Sequence, residues 1–453
     1  MSSYLSFCDY DVYGFDVDHT LAKYKIPNLF DLISSSLAQY LIENKGYPEE
    51  LNLPFDVDKD FCTRGIILDT QTGNFLKLTE DGVIIRASHG TLMLTEDQLI
   101  EEYGEGRLWP HYEDIIDRVD NIGRDRYRVF ENFFDMPLMV IAARLVDIQD
   151  KEASERSASY DFWKDILDAA NDCYAQHQFA EEKGGFFPAW KKDIGRYLYP
   201  ISEDVRQWLR TLRLDNKKVF LMTSSRVDFA EATMSFILGK DWQSYFDLTI
   251  TNARKPGFFQ KNRAFYALDG VVETEAVTEL QEGATYSQGS ITPLMTFLSQ
   301  ITGKKQPKVL FFGDSLRSDV APSKKSDWET VLILEEIDSE QCLFDSGALN
   351  NKTKLQVPVN CPSELEKAYL TSHSWGSFFT DTHPLKPQDD LRYMNTLWGY
   401  VIRKYADLAV PQLEYITEFP LDHKFEVFNH EKTHIWGFYP SVPKALQTNS
   451  DTS

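Results

Sequence analysis

The sequence predicts an α/β protein: a parallel sheet covered by helices on both faces, with a mixed α+β insert between its first two strands. Three observations carry this. An apolar strand run, Val12 to Phe15, stands near the start; from Ser202 onward strand-like and helix-like patterns alternate; between them the period changes to short strands broken by turn compositions. The division that follows is a discontinuous core, residues 1–27 and 196–340, an insert, 28–195, an extension, 341–440, packing on the core or forming a subunit interface, and a flexible tail, 441–453.

Each element has its local reason. Leu29 to Asn44 places Leu29, Phe30, Leu32, Ile33, Leu37, Tyr40 and Leu41 on one helical face. Gly65 to Leu68, Asn74 to Leu78 and Val83 to Ala87 are strand-like and separated by Asp69-Thr70-Gln71-Thr72-Gly73 and Glu80-Asp81-Gly82, which reads as an antiparallel meander. Helical spacing returns at Glu96 to Tyr103, Asp135 to Ile148 and Asp161 to Ala175. Ser202 is a good cap for the helix carrying Val205, Trp208, Leu209 and Leu212. Strands Val219 to Met222, Phe246 to Ile250, Val309 to Phe312 and Thr330 to Leu334 then alternate with helices Phe229 to Leu238 and Thr292 to Ile301. The acidic stretch from Asp269 to Glu282 reads as a solvated loop, and Lys444 to Ser453 as a frayed end.

Composition narrows the partners. With 47 Lys and Arg against 70 Asp and Glu, the net charge of −23 repels nucleic acid and anionic membrane, and no apolar run has membrane-spanning length. Cys8, Cys62, Cys173, Cys342 and Cys361 are scattered and lack a Cys-x-x-Cys pair, which argues against a thiolate zinc site and for a reducing, cytoplasmic setting. His89 and His177 have no paired ligand spacing and read as structural residues.

In such sheets ligands sit beyond the carboxyl ends of the strands. Four groups of residues follow strands: Asp16 and Asp18; Thr223 and Ser224; Lys255; Asp314 and Asp319. Each alone could be a cap or a surface residue, but in this order they meet the needs of phosphoryl transfer. Asp16 can attack phosphorus and Asp18 can move protons. Asp16, the backbone carbonyl of Asp18 and Asp314 can supply oxygen ligands to Mg2+. Thr223 and Ser224 can donate to phosphate, Lys255 can offset its charge, and Asp319 can orient Lys255 or a metal-bound water.

These residues resemble the haloacid dehalogenase superfamily, with Asp18 fitting its phosphatases. Phe15 to Ala22, Val219 to Ser225, Asn252 to Phe259 and Gly313-Asp314-Ser315 with Asp319 are similar to the cytosolic purine 5'-nucleotidase family. So are Ala87 to Thr91, Tyr286 to Ser290, Trp375 to Phe379 and Arg403 to Leu408. The resemblance implies a haloacid dehalogenase-like fold and a Mg2+-dependent phosphatase working through an aspartyl-phosphate, with nucleoside 5'-monophosphates as substrates and homo-oligomers as assemblies. It also implies that the insert is a cap that selects the leaving group. Phe134, before Asp135-Met136-Pro137, takes the position of a base-stacking ring; Glu131 replaces a polar base-reading neighbour; Leu167 and Asn171 stand where relatives keep a nucleotide-gripping arginine and aspartate. Thr223-Ser224 departs from the usual Thr-Asn. The altered cap leaves open an alternative: a scaffold or binding protein that keeps the fold with little turnover.

Overall fold

A computed structural model describes residues 4–121, 126–157, 159–340, 363–382 and 393–427. Its centre is a nine-stranded sheet in the order Val272–Val277, Phe265–Asp269, Thr285–Gln288, Leu248–Thr251, Lys218–Met222, Val12–Phe15, Val309–Gly313, Glu329–Ile333 and Leu408–Val410. From Thr285–Gln288 onward all neighbours run parallel. Alternation along the central strands sends Tyr13, Phe15, Val219, Leu221, Leu310 and Phe312 to one face, against the helices Glu203–Leu214 and Val227–Leu238. It sends Val12, Phe220, Met222, Val309 and Phe311 to the other, against Ile291–Thr302. Both faces are dry, as a parallel sheet requires, and the class is the α/β one expected, a largely parallel sheet with helices on both faces.

The helices start and stop where local chemistry dictates. Ser202 caps Glu203–Leu214 by accepting from the Val205 N–H. Pro27 sits in the first turn of Ile26–Lys45, which ends at Gly46 with a φ of 78°. Thr95 and Gln98 form a reciprocal capping box at the start of Glu96–Tyr103.

Between the first two central strands in sequence runs an antiparallel sheet, ordered Leu92–Met93, Ile84–His89, Asn74–Leu78, Ile66–Asp69 and Tyr127–Phe130. It is flanked by Ile26–Lys45, Met136–Ala153 and Trp163–Cys173, which share one apolar core with one face of the central sheet. His89 is a structural residue of this unit, held between Asn74 and Asp150 at 2.7 Å each.

Two expectations need revision. The acidic stretch is no loop: Val272–Val277 pairs antiparallel with Phe265–Asp269 as the outermost strand of the central sheet. Its glutamates hid the alternating pattern, because charge on an outer strand discourages pairing with another chain. Inside the hairpin, Glu273 accepts from Asn252 at 2.9 Å, Ser287 at 2.6 Å and Gln288 at 2.7 Å. The aromatic C-terminal region is also more than a wrapping. Leu408–Val410 is a strand of the central sheet, Trp375 and Phe379 are fully buried, and Trp398 donates from Nε1 to the Gly65 carbonyl at 2.7 Å. Those aromatics need no second copy of the chain to cover them. The tail, 441–453, lies outside the described residues. Among the described residues Cys8, Cys62 and Cys173 are free thiols, and no helix is long and apolar enough to cross a membrane.

Candidate active site

Four strand ends bring the candidate residues to one point. Asp16 follows Val12–Phe15, and its backbone N–H donates to the Phe312 carbonyl at 2.9 Å, which ties it to the neighbouring strand. The chain then turns sharply, with His19 at a φ of 57°. The Asp18 carboxylate accepts from the Tyr24 hydroxyl and the Ser225 hydroxyl, both at 2.7 Å. Thr223 is buried after Lys218–Met222, and its Oγ1 accepts from the Ser225 N–H at 3.0 Å. Ser224 faces the cavity, with Oγ accepting from the Lys255 backbone N–H at 3.1 Å.

Lys255 reaches back from beyond Leu248–Thr251. Its Nζ lies 2.7 Å from Asp16 Oδ1 and 2.5 Å from Asp319 Oδ1, with all three side chains buried. Asp314 follows Val309–Gly313, and the turn Leu316–Val320 folds Asp319 onto Gly313. That approach requires glycine, since a Cβ at Gly313 would stand 2.4 Å from the Cβ of Asp319.

Electrostatically the site is a strained cluster of like charge. Ligand oxygens of Asp16, Asp314 and Asp319 lie within 4.8 Å of one another, all buried. Burial, with the charges of Asp319 and Asp18, pushes the Asp16 carboxyl up to about 7 against the pull of Lys255. Burial and the carboxylates of Asp319 and Asp16 raise Asp314 well above the ordinary range. Burial alone would depress the Lys255 ammonium, but Asp16 and Asp319 hold it raised. One lysine against so many carboxylates leaves room for further positive charge. The donors are all hard oxygens, which suits a small divalent cation. Asp319 therefore stands among the candidate ligands as well as beside Lys255.

Above these groups opens a cavity of about 440 Å³ between insert and core. Its walls are aromatic: Phe134, Tyr174, Phe179, Phe186 and Phe187 from the insert, Phe229 from the core. Phe134 packs edge-on to His19, Tyr24 and Tyr174, with centroids at 5.2, 5.7 and 6.2 Å, and still lines the cavity.

The other cap positions fall elsewhere. Leu167 and Asn171 are exposed on the helix Trp163–Cys173 and do not line the cavity. Glu131 does not line the cavity either: it is buried, and Oε1 accepts from the Ser315 hydroxyl at 2.5 Å. A carboxylate next to a buried serine finds its hydrogen bond there, and no spacing in the sequence announces it. Tyr24 and Ser225, which hold Asp18, also escape sequence reasoning. Ser225 has only its place in the run Thr223-Ser224-Ser225 to suggest it, and Tyr24 returns to Asp18 through the bridge between Asp18 and Ala22.

Comparison with known proteins bears on the family of the chain. A profile described as the 5' nucleotidase family matches residues 1–374. The chain is 39% identical over 461 residues to human "5'-nucleotidase domain-containing protein 1", covering 99% of each chain. It is 30% identical over 447 residues to "5'-nucleotidase domain-containing protein 2" of Rattus norvegicus, covering 93% of this chain and 77% of that one. A solved putative phosphatase from Clostridium difficile overlaps with a TM-score of 0.26 at 14% identity, over 72% of this chain and 86% of that one. With most of its length matched by the profile and nearly all of it shared with a curated relative, the chain belongs to the 5' nucleotidase family and so to the phosphomonoester hydrolases.

Proposed function

We propose that the protein is a Mg2+-dependent phosphatase that hydrolyses nucleoside 5'-monophosphates through an aspartyl-phosphate on Asp16, with residues 28–195 serving as the cap. The observation that carries this reading is the convergence of Asp16, Lys255, Asp314 and Asp319 under one aromatic-walled cavity. The oxygen set of Asp16, Asp314 and Asp319, with the backbone carbonyl of Asp18, fits Mg2+ by charge and hardness. When bound, the ion would neutralise charge on the phosphoryl oxygens and on the carboxylates around them.

The chain's own groups supply the rest. A carboxylate oxygen of Asp16 attacks phosphorus, the bond to the ester oxygen breaks, and Asp18 as the acid gives that oxygen its proton. Asp18 as the base then takes a proton from water. The resulting hydroxide attacks phosphorus, releasing inorganic phosphate and restoring the Asp16 carboxylate. Tyr24 and Ser225 hold the Asp18 carboxylate for both transfers. Thr223 and Ser224, whose hydroxyl oxygens accept from backbone N–H groups, donate their protons to phosphate in this reading, and Lys255 offsets charge building on its oxygens. The rings around the cavity, Phe134 among them, favour a leaving group with a flat aromatic face.

The test is phosphate release from a panel of nucleotides and phosphorylated metabolites with Mg2+. Wild type should act on at least one nucleoside 5'-monophosphate, while Asp16→Asn should release nothing above background. Equal release by the two proteins sinks the assignment. Beryllium fluoride with Mg2+ should protect wild type against thermal unfolding and leave Asp16→Asn unprotected.

A further inference from the structure

A contact between the insert and the core leads straight to the candidate metal ligands. Glu131 follows the insert strand Tyr127–Phe130 and is only 2% exposed. Its Oε1 accepts from the Ser315 hydroxyl, and Ser315 is the residue after Asp314. The same Ser315 oxygen accepts from the Ser318 N–H at 2.9 Å, capping the turn that carries Asp319. The Ser315 backbone N–H donates to Asp319 Oδ2 at 3.3 Å, and its carbonyl accepts from the Asp319 N–H at 3.0 Å. One hydroxyl thus sets the spacing between two carboxylates, and one insert side chain sets the rotamer of that hydroxyl. A serine hydroxyl has a single proton. With Glu131 taking it, the Ser315 lone pairs are left to face the turn.

A second contact runs beside the first and does not depend on it. Arg64 forms a buried two-pronged pair with Glu336 on the core, with Nη2 to Oε2 at 2.5 Å, and lies over the Phe133 ring at 4.2 Å. Its hydrogen bond to Glu131 goes to the backbone carbonyl, at 3.5 Å, with a longer-range attraction between the two side chains beside it. Substitution of the Glu131 side chain therefore leaves the Arg64 attachment of insert to core in place. The other carboxylate oxygen of Glu131, Oε2, is buried with no hydrogen-bond partner. A buried polar atom left unpartnered at that cost is better explained by what Oε1 holds than by packing.

We infer that Glu131 is a positioning residue: through Ser315 it holds Asp314 and Asp319 at ligand spacing, so that the insert sets the divalent-cation affinity of the core. This rests on the proposed Mg2+ site. Residues that orient metal ligands change affinity by about 10–100-fold when removed.

The experiment is Mn2+ binding to the full-length protein by electron paramagnetic resonance, with Mg2+ competition, alongside kcat at saturating Mg2+. Glu131→Ala and Ser315→Ala should each weaken cation binding about tenfold or more, and the double variant no further, because both remove one hydrogen bond. Glu131→Gln, whose amide oxygen still accepts, should stay within about threefold of wild type. At saturating Mg2+, kcat should recover in all of them far more than affinity does. Affinity unchanged in Glu131→Ala, or lost as badly in Glu131→Gln, overturns the inference while the proposed function stands. A wild type that binds neither cation overturns both. Should Glu131→Ala fail to fold, the Ser315→Ala and Glu131→Gln pair decides.

Discussion

Removing the amine of Lys255 should expose the cost of the acidic cluster. In Lys255→Met the stem is kept and the charge is lost, so Asp16 and Asp319 lose a partner at 2.7 and 2.5 Å. At an effective dielectric of about 20, a unit charge pair at 2.7 Å is worth roughly 6 kcal/mol. Desolvation of the lysine itself offsets part of this, and breaking a buried pair from one side costs about 3–5 kcal/mol overall. Because the lysine is held raised, its contribution is fully present below its unfolded pKa and is lost only as pH rises through the higher folded value, so it operates at neutral pH. Thermal unfolding without metal should register this loss. Adding Asp319→Asn to Lys255→Met should restore about 1–2 kcal/mol by removing one orphaned carboxylate. Activity should fall about 10²–10³-fold, as expected when a charge-stabilising group is removed, and the second substitution should not restore it. A Lys255→Met protein that unfolds with wild type and releases phosphate at its rate refutes the reasoning.

Three further outcomes follow from the same geometry. Asp16 is raised from an ordinary 3.8 to about 7, so the metal-free folded state binds more protons than the unfolded state between those values, and its stability should decline as pH rises through that window. Mg2+ must displace that proton and the one held by the raised Asp314 carboxyl, so its affinity should fall at least about tenfold per pH unit below about 7; melting with and without Mg2+ from about pH 5 to about pH 8 checks both, a pH-independent stability refuting the first and a pH-independent affinity the second. Tyr24→Phe removes one of the two hydrogen bonds that hold Asp18, so it should slow hydrolysis of alkyl phosphates by about tenfold or more while sparing aryl phosphates, whose leaving groups need no proton. Equal slowing of both classes would mean that Tyr24 does not act through the acid.

The convergence of the site was legible because it rests on a topological rule. Asp16, Thr223, Lys255 and Asp314 each stand just past an apolar run, and parallel strands deliver their ends to one edge. What lay beyond the strand ends was not. Tyr24 and Ser225 reach Asp18 through a turn whose course no periodicity encodes, and Asp319, expected beside Lys255, also closes on the other carboxylates because Gly313 lets it approach. Glu131 illustrates the limit best. The resemblance marks it only as the replacement of a base-reading residue, whereas its hydrogen bond depends on which core loop lies under the insert, a fact of tertiary packing alone. The acidic hairpin was hidden for the opposite reason, since the glutamates that protect an outer strand are the residues that make it look like solvent-exposed coil.

The last parallel strand, Leu408–Val410, has a bearing on how this protein can be cut. It pairs residue by residue with Val331, Leu332 and Ile333, all buried. A fragment stopped at residue 374, where the family profile ends, would leave that row of backbone donors and acceptors bare beside an oily surface. Such a fragment would keep every acidic group of the site and yet be prone to stick to its own kind. This stretch of the polypeptide thus acts as a stopper, and trimming it trades a covered sheet edge for an adhesive one.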